Sequence, residues 1–154
     1  MMSIDPKLAG NVIQVLTNVP DFLRKLMLRN KLQEFYSMTD LDKHETISTA
    51  LNALPLVDSK KLSMLTKTWL EVLSEFEGVK ITSMFRIYCE EFLKNSTIIG
   101  KLDIKLMTDA FSLLPYRNRK ILTDCLKEAI FSLPNTKEIV RIIPKPVLKI
   151  LEME

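Results

Sequence analysis

Two of the seven prolines in this 154-residue chain stand in matching surroundings, Pro55 and Pro115, at an offset of 60. The residue before a proline avoids the α region, so each Leu-Pro step stops a helix. Three residues later comes Asp58 in one case and Asn118 in the other, both residue types that open helices by capping. Identical residues at this offset include Ala50/Ala110, Leu54/Leu114, Lys60/Lys120, Leu62/Leu122, Lys67/Lys127 and Leu73/Leu133. A stop followed at fixed distance by a start predicts helical hairpins.

Apolar spacing of the i, i+3, i+4, i+7 kind recurs along the chain. It predicts helices over 5–17, 19–36, 42–54, 59–76, 82–94, 103–114, 119–132, 136–142 and 146–152. Asp5 and Pro6 suit the start of the first helix. Asn18 or Pro20 opens the second, Asp42 with Glu45 resembles a capping box for the third, and Asp58 and Asn118 cap the fourth and seventh. Gly78 suits the end of the fourth. No segment alternates apolar and polar residues long enough for a strand; "EIVRII" at 138–143 comes nearest and is assigned to helix. The fold class is therefore all-α, one domain over 1–154 of about seven to nine short helices in stacked hairpins. Residues 20–78 and 80–134 form either a duplicated three-helix unit or two ordinary hairpins sharing the same turn chemistry. Residues 135–154 supply capping helices. Leu148, Ile150, Leu151 and Met153 of the last one need cover, from the core or from a second copy of the chain, and folding back is the expected outcome.

Joining short helices by Leu-Pro steps, over roughly 50–80 and 105–150, resembles the superhelical domains of the flagellar motor switch protein and of bacterial magnesium-transporter N-terminal regions. The resemblance implies a stack of short helices and carries no function.

Composition narrows the function classes. Three glycines leave no Gly-rich loop for a Rossmann or P-loop nucleotide site. Met1 to Pro6 lacks the pattern of a signal peptide, and apolar stretches are broken by charges well short of the ~20 residues a bilayer span needs. A cytoplasmic protein is expected, with Cys89 and Cys125 as reduced, buried thiols. Met27, Met38, Met64, Met84, Met107 and Met153 fall in or near helices, suited to filling core gaps or lining an adaptable groove.

Catalytic and metal chemistry find little support. His44 is the sole histidine, and no C-x-x-C or H-x-x-x-H spacing exists for zinc. His44 is expected on a solvated surface. Glu90 and Glu91 are adjacent on a helix and point about 100° apart, which reads as a solvated acidic face. No G-x-S-x-G elbow is present. No catalytic residue, metal or cofactor is expected.

Charge gives the remaining candidates. The net charge of +3 is too mild to argue nucleic acid by itself. Lys60 and Lys61 follow the first Leu-Pro turn, and Tyr116, Arg117, Arg119 and Lys120 follow the second. Cations at a helix N-terminus oppose the helix dipole, so local stability does not explain them; the readings are a solvated turn or a site for an anionic partner. Arg24, Lys25 and Arg29 form an alternative basic face. A non-enzymatic protein-interaction or scaffold module is the first expectation, with another protein as partner. Nucleic-acid binding through the basic turns is the second.

Overall fold

The computed structural model describes residues 9–154; the expected N-cap at Asp5 and Pro6 lies outside the described residues. Among them are nine α-helices: α1 Ala9–Leu16, α2 Asp21–Tyr36, α3 Asp40–Ala53, α4 Ser59–Leu73, α5 Gly78–Lys94, α6 Ile104–Ser112, α7 Tyr116–Ser132, α8 Thr136–Ile142 and α9 Lys145–Ile150. Two 3-10 segments, Leu54–Leu56 and Ser96–Lys101, join α3 to α4 and α5 to α6. The all-α expectation holds, and "EIVRII" falls mostly in α8.

From α1 to α7 each helix packs chiefly on a next-but-one neighbour. One layer runs α1, α3, α5, α7, and the other runs α2, α4, α6, α9, with α8 against α5 and α7. Because short turns reverse the chain each time, helices within a layer run parallel. Cross-links confirm this: Lys61 at the start of α4 donates to Asn18 beyond the end of α1, 2.7 Å, and Asn118 in the first turn of α7 donates to Ser74 after the end of α4, 2.8 Å.

The core lies between and within the layers. Leu73, Ile81, Met84, Ile130, Ile139 and Leu151 are all but inaccessible to solvent. Burying each such side chain is worth about 1.5–3 kcal/mol. A second apolar cluster joins Cys89, Ile130, Leu133, Ile139 and Leu151, so the last helix folds back as expected rather than presenting Leu151 to a partner.

Several helix signals resolve differently from expectation. Thr39, not Asp42, caps α3: its hydroxyl accepts the Asp42 N–H at 3.2 Å. Asp58 occupies the N-cap position of α4 without a side-chain capping bond. Pro115 occupies that position for α7, which begins at Tyr116; Asn118 is already inside the helix and spends its amide on Ser74. Gly78 opens α5 instead of closing α4. No described glycine has positive φ, so the left-handed C-cap that glycine serves is not used there. Gly78 lies beside α7, with the Cys125 sulfur 3.7 Å from its carbonyl oxygen; a Cβ at this position would meet that sulfur at an ordinary 3.9 Å, so the packing does not require glycine. The two Leu-Pro steps also differ. Leu54-Pro55 forms a 3-10 turn, whereas Leu114-Pro115 leads straight into α7. A three-helix offset moves a helix from one layer to the other, which puts the two turns at opposite ends of the stack.

Candidate functional site

Three turns share one edge of the stack: α2–α3, α4–α5 and α6–α7. They are bonded to one another. The Tyr36 hydroxyl at the end of α2 donates to the Lys80 carbonyl at the start of α5, 2.6 Å, and the Tyr36 and Phe76 rings stand 5.4 Å apart. Burial pushes the Tyr36 phenol up, with Tyr88 and Cys125 adding to it, so it remains a donor. Asn118 to Ser74 links the third turn to the second.

Helices α3, α5 and α7 all start on this edge, and each shows apolar surface beside its first turn. Leu41 is 83% exposed, Val79 80%, Leu113 67% and Tyr116 70%. Neighbouring packed helices stand about 8–10 Å apart, so these side chains form a spaced row. A cation accompanies each start. Lys43 lies 6.0 Å from the Phe35 ring centroid, Lys80 lies 5.5 Å from Tyr36 and 6.0 Å from Phe76, and the Arg119 guanidinium lies 5.8 Å from Tyr116. Exposed cation–π contacts contribute about 0.5–1 kcal/mol, which offsets the unfavourable dipole at these positions. The first turns of α5 and α7 carry no acidic residue.

The structure divides the residues singled out by charge. Tyr116, Arg117, Arg119 and Lys120 belong to the edge. Arg117 is exposed; Arg119 Nε donates to the Leu114 carbonyl at 3.1 Å, and Lys120 pairs with Asp124 at 3.2 Å. Lys60 and Lys61 lie at the other end, separated from the edge by the length of α4, 15 residues or roughly 22 Å. Val15, Phe22, Leu56 and Phe131 are exposed near that other end, without comparable cation–aromatic pairs. Arg24, Lys25 and Arg29 do not form a free basic face. Arg24 is 3% exposed and donates to the carbonyls of Leu16 at 2.9 Å and Val19 at 2.7 Å, and to Asp21. Lys25 and Arg29 pair with Glu75, in the turn after α4, at 3.3 and 2.8 Å.

A cluster that sequence spacing misses joins α3 to α5. His44 Nδ1 stands 2.7 Å from Glu91 Oε2, and Nε2 stands 3.8 Å from Glu90 Oε1. Lys94 reaches the same Glu91 oxygen at 3.1 Å. Adjacent carboxylates diverge on their own helix, yet one imidazole offers nitrogens on two sides and meets both. His44 is thus part of an interhelical clamp, its side chain 24% exposed, rather than a free surface group. The two thiols are free and buried. Burial, with Glu90 nearby, pushes Cys89 up to about 12, and burial also raises Cys125; neither supplies a nucleophilic thiolate near neutrality. Among the described residues no group of three or more His, Cys, Asp or Glu is arranged to hold a metal ion, and no helix is long and apolar enough to cross a membrane.

No known protein family, curated protein or solved structure matches the chain.

Proposed function

We propose that the protein is a non-enzymatic interaction module whose α3/α5/α7 edge docks an acidic, partly apolar segment of another protein. The observation that carries this reading is the row Leu41, Val79, Leu113 and Tyr116, flanked by Lys43, Lys80, Arg117 and Arg119. Exposed apolar anchors ringed by cations are the chemistry of protein interfaces, where Tyr and Arg are over-represented among energetically dominant residues. Helix N-termini facing the same way add partial positive charge. Free buried thiols suit a reducing, cytoplasmic setting.

Nucleic-acid binding is the weaker reading. Arg24, Lys25 and Arg29 are committed internally, and Asp40, Asp42 and Glu77 interrupt the edge, breaking any continuous path for phosphates. The test is photocrosslinking from position 79 in a lysate of the native cells, with and without nuclease. A protein adduct that survives nuclease, and disappears in the triple variant Leu113→Ser/Tyr116→Ser/Arg117→Ser at unchanged melting temperature, supports the proposal. An adduct that needs nucleic acid, or persists in that variant, overturns it.

A further inference from the structure

A cavity of about 380 Å³, partly open to solvent, runs between the two helix layers, and all nine described α-helices contribute to its wall, from Val12 in α1 to Ile150 in α9. Voids in native interiors are few and seldom exceed a water molecule. This one falls in the range of small-molecule pockets, about 300–1,000 Å³, and is more than twice the ~150 Å³ of an engineered apolar cavity that takes up benzene.

The wall decides what could fill it. Side chains such as Leu65, Trp69, Met84, Phe85 and Phe111 dominate, and the polar contributors are chiefly scattered threonines. Water needs two to four polar partners to remain in such a space, which this wall does not gather in one place. A cavity that follows the stack from first helix to last suits an extended chain better than a compact ring. Among the described residues Lys31 is the one charged side chain on the wall. It is about a third exposed, and its ammonium makes only a 3.7 Å contact with Glu34, which leaves hydrogens for an anionic group at the rim.

We propose that this cavity binds a single long-chain fatty acid, with its hydrocarbon between the helix layers and its carboxylate at Lys31. The site is separate from the docking edge, and neither proposal depends on the other.

Trp69 provides the readout, being the chain's one tryptophan and part of the cavity wall. Protein stripped of lipid on a hydrophobic resin is titrated with dibrominated stearic acid below its micelle concentration. Tryptophan emission should be quenched saturably, with an end point at one equivalent. Ala50→Phe and Thr108→Leu fill the cavity from α3 and α6. Each should weaken the quenching at least about tenfold while helical circular dichroism is retained and the melting temperature does not fall. If one of them fails to fold, the other decides. Lys31→Gln should weaken the acid about tenfold and leave the methyl ester unchanged. Absence of saturable quenching, or wild-type quenching in a folded cavity-filling variant, overturns the site. Equal binding of acid and ester by the wild type overturns the fatty acid as its ligand.

Discussion

Asn118 donates its side-chain amide to the Ser74 hydroxyl across 2.8 Å, and Ser74 passes its own hydrogen on to the Glu71 carbonyl at 2.7 Å. The relay ties the first turn of α7 to the last turn of α4 and holds two of the three turns of the docking edge together. A double-mutant cycle of Asn118→Ala and Ser74→Ala, read by urea denaturation, should give a coupling of about 0.5–1.5 kcal/mol. If Asn118 served only its own helix as a cap, the coupling would be close to zero.

Arg24 should prove a stability residue. Its guanidinium closes the α1–α2 turn by satisfying the Leu16 and Val19 carbonyls from a nearly inaccessible position. Arg24→Ala removes those donors and leaves a gap where the side chain packed. The expected loss is about 2–4 kcal/mol, measured by chemical denaturation. A loss under about 0.5 kcal/mol, the range of ordinary surface substitutions, would mean the carbonyls find water instead.

The helical class and most helix centres were legible because apolar spacing and proline stops are local signals. The C-terminal fold-back was legible too, since Leu151 and its neighbours had no other cover within the chain. What stayed hidden depends on how helices meet. Arg24 and Arg117 look alike as letters, yet one is sealed among carbonyls and the other stands in solvent. Lys60 and Lys120 match at the 60-residue offset, but alternation between layers sends their turns to opposite ends. Leu41 and Val79 fall just outside the helices expected over 42–54 and 82–94, and their exposure follows from the stacking of α3, α5 and α7. His44 could be placed beside Glu90 and Glu91 only once α3 lay against α5.

Acid should weaken the link between α2 and the α4–α5 turn. Burial alone would raise the Glu75 carboxyl, but hydrogen bonds and charge from Arg29 and Lys25 outweigh it and hold the group below its ordinary value. A depressed folded-state value means the contribution is present above the unfolded carboxylate range and is lost as pH falls through the folded one. The difference in melting temperature between wild type and Glu75→Gln should be largest near neutrality. It should shrink as pH drops below the ordinary carboxylate range, about 4.3. The pair is 39–40% exposed, so added salt should shrink the difference as well. A gap that stays constant across that acid range would show that the ion pair contributes nothing.

The chain's last helix ends on a strained residue that can be relieved. Glu152 has φ of 56°, and its N–H bonds the Lys149 carbonyl at 3.1 Å while Met153 N–H bonds the Leu148 carbonyl at 2.9 Å. Those two bonds make a Schellman ending, in which glycine is the favoured residue at the left-handed position. Holding a side chain there costs about 1–2 kcal/mol, whereas glycine gives back about 0.4–1 kcal/mol through the greater freedom of the unfolded chain. Glu152→Gly should therefore gain roughly 0.5–1 kcal/mol, a rise of about 1–4 °C in melting temperature for a domain of this size. Glu152→Val should move it the other way, because a β-branched residue tolerates positive φ least. Melting temperatures that fall with glycine and hold with valine would show that the ending opens in solution, leaving Leu151 to be held by the core alone.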